Sequence, residues 1–281
     1  MIVVTGATGN TGRPLVRALM SAGAKVTATS RNITAADVPE GVRHRQADLA
    51  DSASLRPVLD GADALFLQNG GASAHTLDVG AILDAAKAGG VGRVVLLSSL
   101  GVVTRPESAS HGVLGLSFEE AVRDSGLAWT ILRPGNFDSN TYAWAASVRA
   151  ERTVAAPFAD VGLPAVDPGD IAEVAAAALL EDGHDGRFYE LTGPAPVTPR
   201  EQAEAIGAAL GEPIRFVEQS PDQARERMSA FMPADVVETT LAILGSPTPA
   251  ERRVGPDVEK VLGRAPRAYA DWARANVAAF R

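Results

Sequence analysis

Short, almost continuously apolar runs alternate along this chain with longer segments whose apolar residues recur every three to four positions. The runs at 2–5, 25–30, 42–47, 64–68, 93–98, 130–133 and 188–191 are rich in valine, isoleucine, leucine and threonine and predict strands. Between them, 12–22, 52–59, 76–88, 116–124 and 170–181 carry the helical period. Strands that are apolar on both faces and separated by helices predict a parallel sheet covered on both sides. Right-handed crossovers then give an α/β fold, a doubly wound parallel sheet of the Rossmann type. Its ligand crevice lies beyond the carboxyl ends of the strands.

The rhythm changes after about residue 192. Thr198-Pro199-Arg200-Glu201 combines a capping box with proline at the first helical position, and the helix it opens runs through Leu210 to Gly211. Further helical stretches lie at 222–230, 234–244 and 267–280. The pattern predicts a smaller, mainly helical C-terminal lobe over the crevice. Residues 1–136 with 166–192 would form the nucleotide-binding domain, and 137–165 with 193–281 the smaller substrate-side lobe.

The richest stretch is Ile2-Val3-Val4-Thr5-Gly6-Ala7-Thr8-Gly9-Asn10-Thr11-Gly12. A β-branched run ends in glycines at 6, 9 and 12, and Pro14 follows in the first turn of a helix. Such a turn lets backbone approach a pyrophosphate and offers it the unpaired N–H groups of a helix start. Its spacing is G-x-x-G-x-x-G rather than the G-x-G-x-x-G of many dehydrogenases. Gly6, Thr8, Gly9, Asn10, Thr11 and Gly12 are therefore candidate cofactor ligands. An ordinary strand–turn–helix is the alternative.

The second strand should settle the choice of dinucleotide. NAD-binding units place an acid at its end for the ribose 2′-hydroxyl; here it ends in Ser30-Arg31-Asn32, and Arg31 would pair with a 2′-phosphate. NADP(H) is the expected cofactor. Asp48, with Leu49 after the third strand, either reaches the adenine edge or caps the helix that begins near Asp51. Gln68 and Asn69, in Gln68-Asn69-Gly70-Gly71 after the fourth strand, sit where backbone would pass the ribose, or form a plain turn.

Composition narrows the chemistry. The 281 residues are 46% hydrophobic and carry a formal charge of −8, which disfavours non-specific contact with nucleic acid. There is no cysteine, hence no disulfide, zinc-thiolate site or thiol nucleophile. His44, His75, His111 and His184 are scattered without ligand spacing, so no metal site is expected. Neither a G-x-S-x-G elbow nor a G-x-x-x-x-G-K-S/T phosphate loop occurs. Apolar runs such as 174–180 are too short to span a bilayer. A first strand starting at Ile2 leaves no room for a signal peptide, and a cytoplasmic protein is the expectation.

The glycine turn, Arg31-Asn32, Asp48-Leu49, Val95-Leu96-Leu97-Ser98-Ser99, Trp129-Thr130-Ile131-Leu132-Arg133-Pro134-Gly135-Asn136-Phe137 and Asp257-Val258-Glu259-Lys260-Val261-Leu262-Gly263-Arg264 together resemble the NmrA-like group of atypical short-chain dehydrogenase/reductases. The resemblance covers most of the chain. It implies NADP(H) binding, with Ser98 added to the cofactor candidates and Pro134, Gly135, Asn136 and Phe137 bordering the nicotinamide. The group includes NADPH-dependent quinone and triphenylmethane-dye reductases, isoflavone-reductase-like enzymes and NADP(H)-sensing regulators without turnover. It holds both monomers and dimers.

Catalytic members of the wider superfamily use a tyrosine, a lysine four residues on, and a serine after the fifth strand. Aligned on Glu119-Glu120 and Asp124-Ser125-Gly126, this chain has His111, Gly115 and Leu100 at those positions. A simple ketone needs an acid, because an alkoxide in a dry pocket is costly. A quinone, enone, imine or cationic dye needs one less, since its product charge is delocalised or cancelled. The reading is thus an NADPH-dependent reductase of an apolar conjugated small molecule. His111 would donate a proton or hydrogen bond to the acceptor, or else serve as a histidine bonded to backbone at a helix start. The alternatives are a catalytically silent NADP(H)-sensing binding protein and a biosynthetic isomerase or cyclase on the same fold.

Overall fold

Parallel pairing joins seven strands into one sheet in a computed structural model that describes residues 1–68 and 71–281. From the N-terminus, β1 (Ile2–Thr5), α1 (Gly12–Ser21), β2 (Val26–Ser30), β3 (Arg43–Gln46), α2 (Ser52–Leu59), β4 (Ala64–Gln68), α3 (Val79–Ala88) and β5 (Arg93–Leu97) come first. They are followed by α4 (Gly101–Thr104), α5 (Leu114–Asp124), β6 (Ala128–Pro134), α6 (Ala145–Glu151), β7 (Thr153–Ala156), α7 (Pro168–Leu180) and β8 (Arg187–Leu191). The C-terminal region adds α8 (Pro199–Leu210), β9 (Arg215–Glu218), α9 (Pro221–Ser229), α10 (Ala234–Gly245), α11 (Asp257–Leu262) and α12 (Tyr269–Ala275).

The sheet order is β3-β2-β1-β4-β5-β6-β8. It reverses between β1 and β4, the switch point beyond which a doubly wound fold opens its crevice. Alternation along each strand divides the core. Val4, Ala28, Phe66 and Val95 pack on one face with Leu15 and Leu19 of α1 and Ile171 and Val174 of α7. Val3, Leu65, Leu67 and Leu96 pack on the other with Leu55, Ile82 and Phe118. The edge strand β3 carries Arg43, His44, Arg45 and Gln46, polar side chains that discourage further pairing.

The helical region has its own core of Trp144, Val148, Val154, Ile206, Trp272 and Phe280. The Thr198 capping box and the left-handed Gly211 that bound α8 occur as the sequence indicates. Two local expectations are corrected, and one element is new. Residues 76–78 precede α3 rather than belonging to it, because Asp78 accepts a hydrogen bond from Ala81 N–H and starts the helix there. The helix expected over 267–280 breaks at Asn276 into α12 and a 3₁₀ turn. A second, two-stranded parallel sheet joins β7 to β9; four-residue strands paired across about sixty intervening residues leave no periodic mark in the sequence.

Candidate active site

The glycine turn is built by three close approaches. Gly6 has φ +61°, a conformation glycine adopts without strain, and Ala7 N–H donates to Thr29 C=O of β2 at 3.1 Å. A Cβ on Gly12 would lie 2.2 Å from the Gly6 carbonyl oxygen, so α1 can start this close to the turn only with glycine there. The N-cap residue of α1, Thr11, makes no side-chain cap, and no acid occupies the helix's first turn. By contrast Asp51, Asp78, Asp167, Thr198 and Ser220 each cap their own helix. Arg13 N–H donates to Gly9 C=O at 3.0 Å and Pro14 has no N–H, so among the described residues the first-turn N–H left for an anion is that of Gly12.

Beside this turn opens a cleft of ≈ 560 Å³. It gathers Gly6, Thr8, Gly9, Arg31, Asp48, Leu49 and Gln68 from four separate segments. Thr5 braces its base: its hydroxyl donates to Phe66 C=O at 2.9 Å and accepts from Gln68 N–H at 3.1 Å. Arg31 and Asn32 are exposed at the tip of β2. No hydrogen bond or ion pair holds Arg31 among the described residues. Arg13, which the sequence reading passed over, also lines the cleft; its Nε donates to Thr8 C=O at 2.8 Å, and Asp37 lies 3.6 Å from its Nη2. Asp48 holds its own turn by accepting from Ala50 N–H, while Asp51 is the residue that caps α2. Asn69 lies outside the described residues.

Across the switch point, β6 stays paired with the chain beyond the end of β5, through Ser98 N–H to Leu132 C=O and Leu100 N–H to Pro134 C=O. Ser98 is buried and its hydroxyl donates to Glu119 Oε1 at 2.6 Å. Gly101 makes room for His111: a Cβ there would sit 2.9 Å from the histidine Cβ. His111 stands half-buried in a π-helical turn, Nδ1 2.9 Å from Ser110 Oγ, and burial pushes its pKa below the usual value. A neutral imidazole there offers a hydrogen bond more readily than a proton. Arg105 holds the end of α10 and the segment after it, by bonds to Ala242 C=O at 3.3 Å and Ser246 C=O at 2.9 Å and paired bonds to Glu251. On β6, Pro134 is buried and Gly135 N–H bonds Leu191 C=O; the Asn136 side chain accepts from Asn140 Nδ2 at 2.7 Å. Phe137 bridges to Val166.

A family model described as NAD(P)H-binding matches residues 6–182. This chain belongs to that family. It is 37% identical over 289 residues to the (4-alkanoyl-5-oxo-2,5-dihydrofuran-3-yl)methyl phosphate reductase of Streptomyces griseus, covering 100% of this chain and 99% of that protein. It is 31% identical to the NAD(P)H azoreductase of Xenophilus azovorans over 100% of this chain and 99% of the relative. The NADPH-bound structure of an NADPH-dependent quinone oxidoreductase from Escherichia coli superposes with a TM-score of 0.80 at 25% identity, covering 98% and 99% of the two chains. The protein is an NAD(P)H-dependent oxidoreductase with NADP(H) as its cofactor, related to quinone reductases and sharing the fold of the triphenylmethane-dye reductase and of NmrA.

The side chains present in this oxidoreductase fit that cofactor. The uncapped α1, the space kept by Gly6 and Gly12, and the unpaired Arg31 suit a diphosphate and a further phosphate. Below the Asn136–Phe137 turn the structure holds a different feature. Asp138 is 0% exposed, and neither carboxyl oxygen has a hydrogen-bond partner among the described residues. Burial, and then the nearby Asp167 and Asp170, push its pKa up to about 8. Arg264 and Arg267 are engaged with Asp170 and Glu173, leaving no cation for Asp138 among the described residues.

A folded-state pKa above the usual 3.8 means that the folded protein holds a proton which the unfolded chain releases. The stabilisation is therefore complete at low pH and is lost as pH rises through about 8. Asp138→Asn, which copies the neutral acid, should melt at a higher temperature than the parent at pH 8, with an advantage of a few kcal/mol that shrinks toward pH 5. Parallel pH–stability curves for the two proteins would refute this.

Proposed function

We propose that the protein transfers a hydride from NADPH to an apolar, conjugated acceptor and needs no tyrosine–lysine pair to do so. What supports this reading is the corner beyond β5 and β6, where Leu100, a His111 whose pKa burial lowers, and Gly115 fall at the positions that the alignment on Glu119-Glu120 and Asp124-Ser125-Gly126 assigns to the superfamily's serine, tyrosine and lysine. The names of its relatives are consistent with it, since an alkanoyl oxo-dihydrofuran, an azo compound and a quinone all spread incoming charge over a conjugated system.

Gly6, Thr8, Gly9, Asn10, Thr11 and Gly12 hold the diphosphate in this proposal. Arg31 takes the 2′-phosphate, Asp48, Leu49 and Gln68 border the adenosine and its ribose, and Pro134 to Phe137 wall the nicotinamide side. NADPH, when bound, supplies the hydride. For an enone, the hydride bonds to the β-carbon, the C=C electron pair moves into the enolate, and water returns the proton. His111 donates a hydrogen bond from Nε2 to the developing oxyanion when Ser110 donates to its Nδ1.

The test is NADPH oxidation with a panel of enones, quinones, azo compounds and cationic dyes, followed at the nicotinamide absorbance band. Steady turnover on conjugated acceptors, with none on saturated ketones, is expected. Tight NADPH binding without oxidation of any panel member would move the reading to a sensing protein. For His111→Phe we expect kcat on an enone to fall about tenfold to a hundredfold with little change in NADPH affinity.

A further inference from the structure

Strand β2 turns Thr27 and Thr29 to the same face of the sheet. Thr27 has a partner, since its hydroxyl donates to Met1 Sδ at 3.1 Å. Thr29 is 2% exposed and its Oγ1 has no hydrogen-bond partner among the described residues. A buried hydroxyl in that state works against folding. Valine has nearly the same shape, suits a strand at least as well, and lacks the hydroxyl. Among the described residues, then, the oxygen of Thr29 has no compensating contact.

Its location supplies one. Thr29 lines the cleft and lies level with Thr5 in the β1–β2 register, two residues before Arg31. Its own carbonyl accepts from Ala7 N–H, which pins the residue to the glycine turn. Ala47, Asp48, Leu49 and Leu55 line the same cleft, and a dinucleotide with its diphosphate at Gly6 and Gly9 puts its adenosine toward the end of β2.

We propose that Thr29 is a cofactor-binding residue whose hydroxyl hydrogen-bonds the adenosine half of NADP(H) and is satisfied only in the bound protein. The inference rests on the placement of the diphosphate at the glycine turn. It makes the empty protein and the complex respond in opposite directions to one substitution.

The experiment uses the full chain, with Thr29→Val and Thr29→Ser beside the parent. Melting is measured without cofactor. Dissociation constants are measured by calorimetry for NADPH and for adenosine 2′,5′-bisphosphate, a probe carrying the adenosine and the 2′-phosphate. Thr29→Val should melt at the same or a higher temperature without cofactor, yet bind both ligands about tenfold more weakly, the loss of roughly one hydrogen bond. Thr29→Ser, which keeps the hydroxyl, should stay within about threefold of the parent.

Unchanged affinity of Thr29→Val for the bisphosphate overturns the proposal. So does a lower melting temperature of that variant without cofactor, which would reveal an internal partner for the hydroxyl. A parent protein that binds NADPH but not the bisphosphate removes the adenosine from this cleft, and the role of Thr29 goes with it. A parent that binds neither ligand refutes the cofactor site itself.

Discussion

Glu119→Ala is expected to destabilise the protein by about 3–5 kcal/mol, a large part of the stability of an ordinary domain. Glu119 is 1% exposed on α5 and accepts from three donors: Ser98 Oγ at 2.6 Å, Arg133 Nε at 2.9 Å and Arg133 Nη2. Arg133 reaches it from β6 while its guanidinium carbon lies 4.2 Å from the centre of the Phe188 ring of β8. Alanine would leave this guanidinium inside the fold without its counter-charge, along with an unpartnered serine hydroxyl. The lost desolvation, rather than the lost attraction, dominates such a change.

Urea denaturation of the parent and the variant measures the effect. Removing both charges, as Glu119→Leu with Arg133→Met, should recover most of the loss, because nothing charged is then stranded. A loss below about 1 kcal/mol for Glu119→Ala would mean that water reaches the pair. The same contact explains why Ser98, a cofactor candidate on its motif, is held by the protein's own interior.

Arg31→Asp should raise the dissociation constant for NADPH about a hundredfold and leave that for NADH within about threefold. Arg31 is exposed, lines the cleft and is engaged by no other group among the described residues, so its charge is available to a ligand. A bidentate bond between guanidinium and phosphate is among the stronger polar contacts, and an aspartate there would add repulsion. The ribose 2′-hydroxyl of NADH carries no charge and should accept the aspartate as a hydrogen-bond partner. Arg13, nearby and only loosely paired with Asp37 at 3.6 Å, limits the loss. Equal weakening of both coenzymes, measured by fluorescence titration, would take Arg31 out of the phosphate site.

Local pattern carried much of this molecule. Val3 and Val4, fully buried on opposite faces of β1, follow from an unbroken apolar run, since successive strand residues face opposite sides. The start of α8 at Pro199 and its end at Gly211 follow from backbone preferences that act within four residues. The turn at 6–12 was legible because the backbone angle at Gly6 and the close approach at Gly12 call for glycine. Thr29 was not, because a threonine in a strand looks the same whether or not its hydroxyl finds a partner. Arg13 carries no mark in the sequence that separates it from other helix arginines; the fold of the glycine turn, where its Nε bonds Thr8 C=O, sets it at the cleft.

The amino-acid order by itself determined the layered parallel sheet, the phosphate-compatible bend after β1 and the missing tyrosine, lysine and serine. Each of these is a property of short segments: a period, a backbone angle or a residue type. Tertiary structure alone decided that Ser98 turns inward to Glu119, that Asp138 is shut in with Asp167 and Asp170, and that β7 finds β9. Those outcomes depend on burial and on partners far apart in the chain, and electrostatic and hydrogen-bond energies are set by such surroundings rather than by the neighbouring residues.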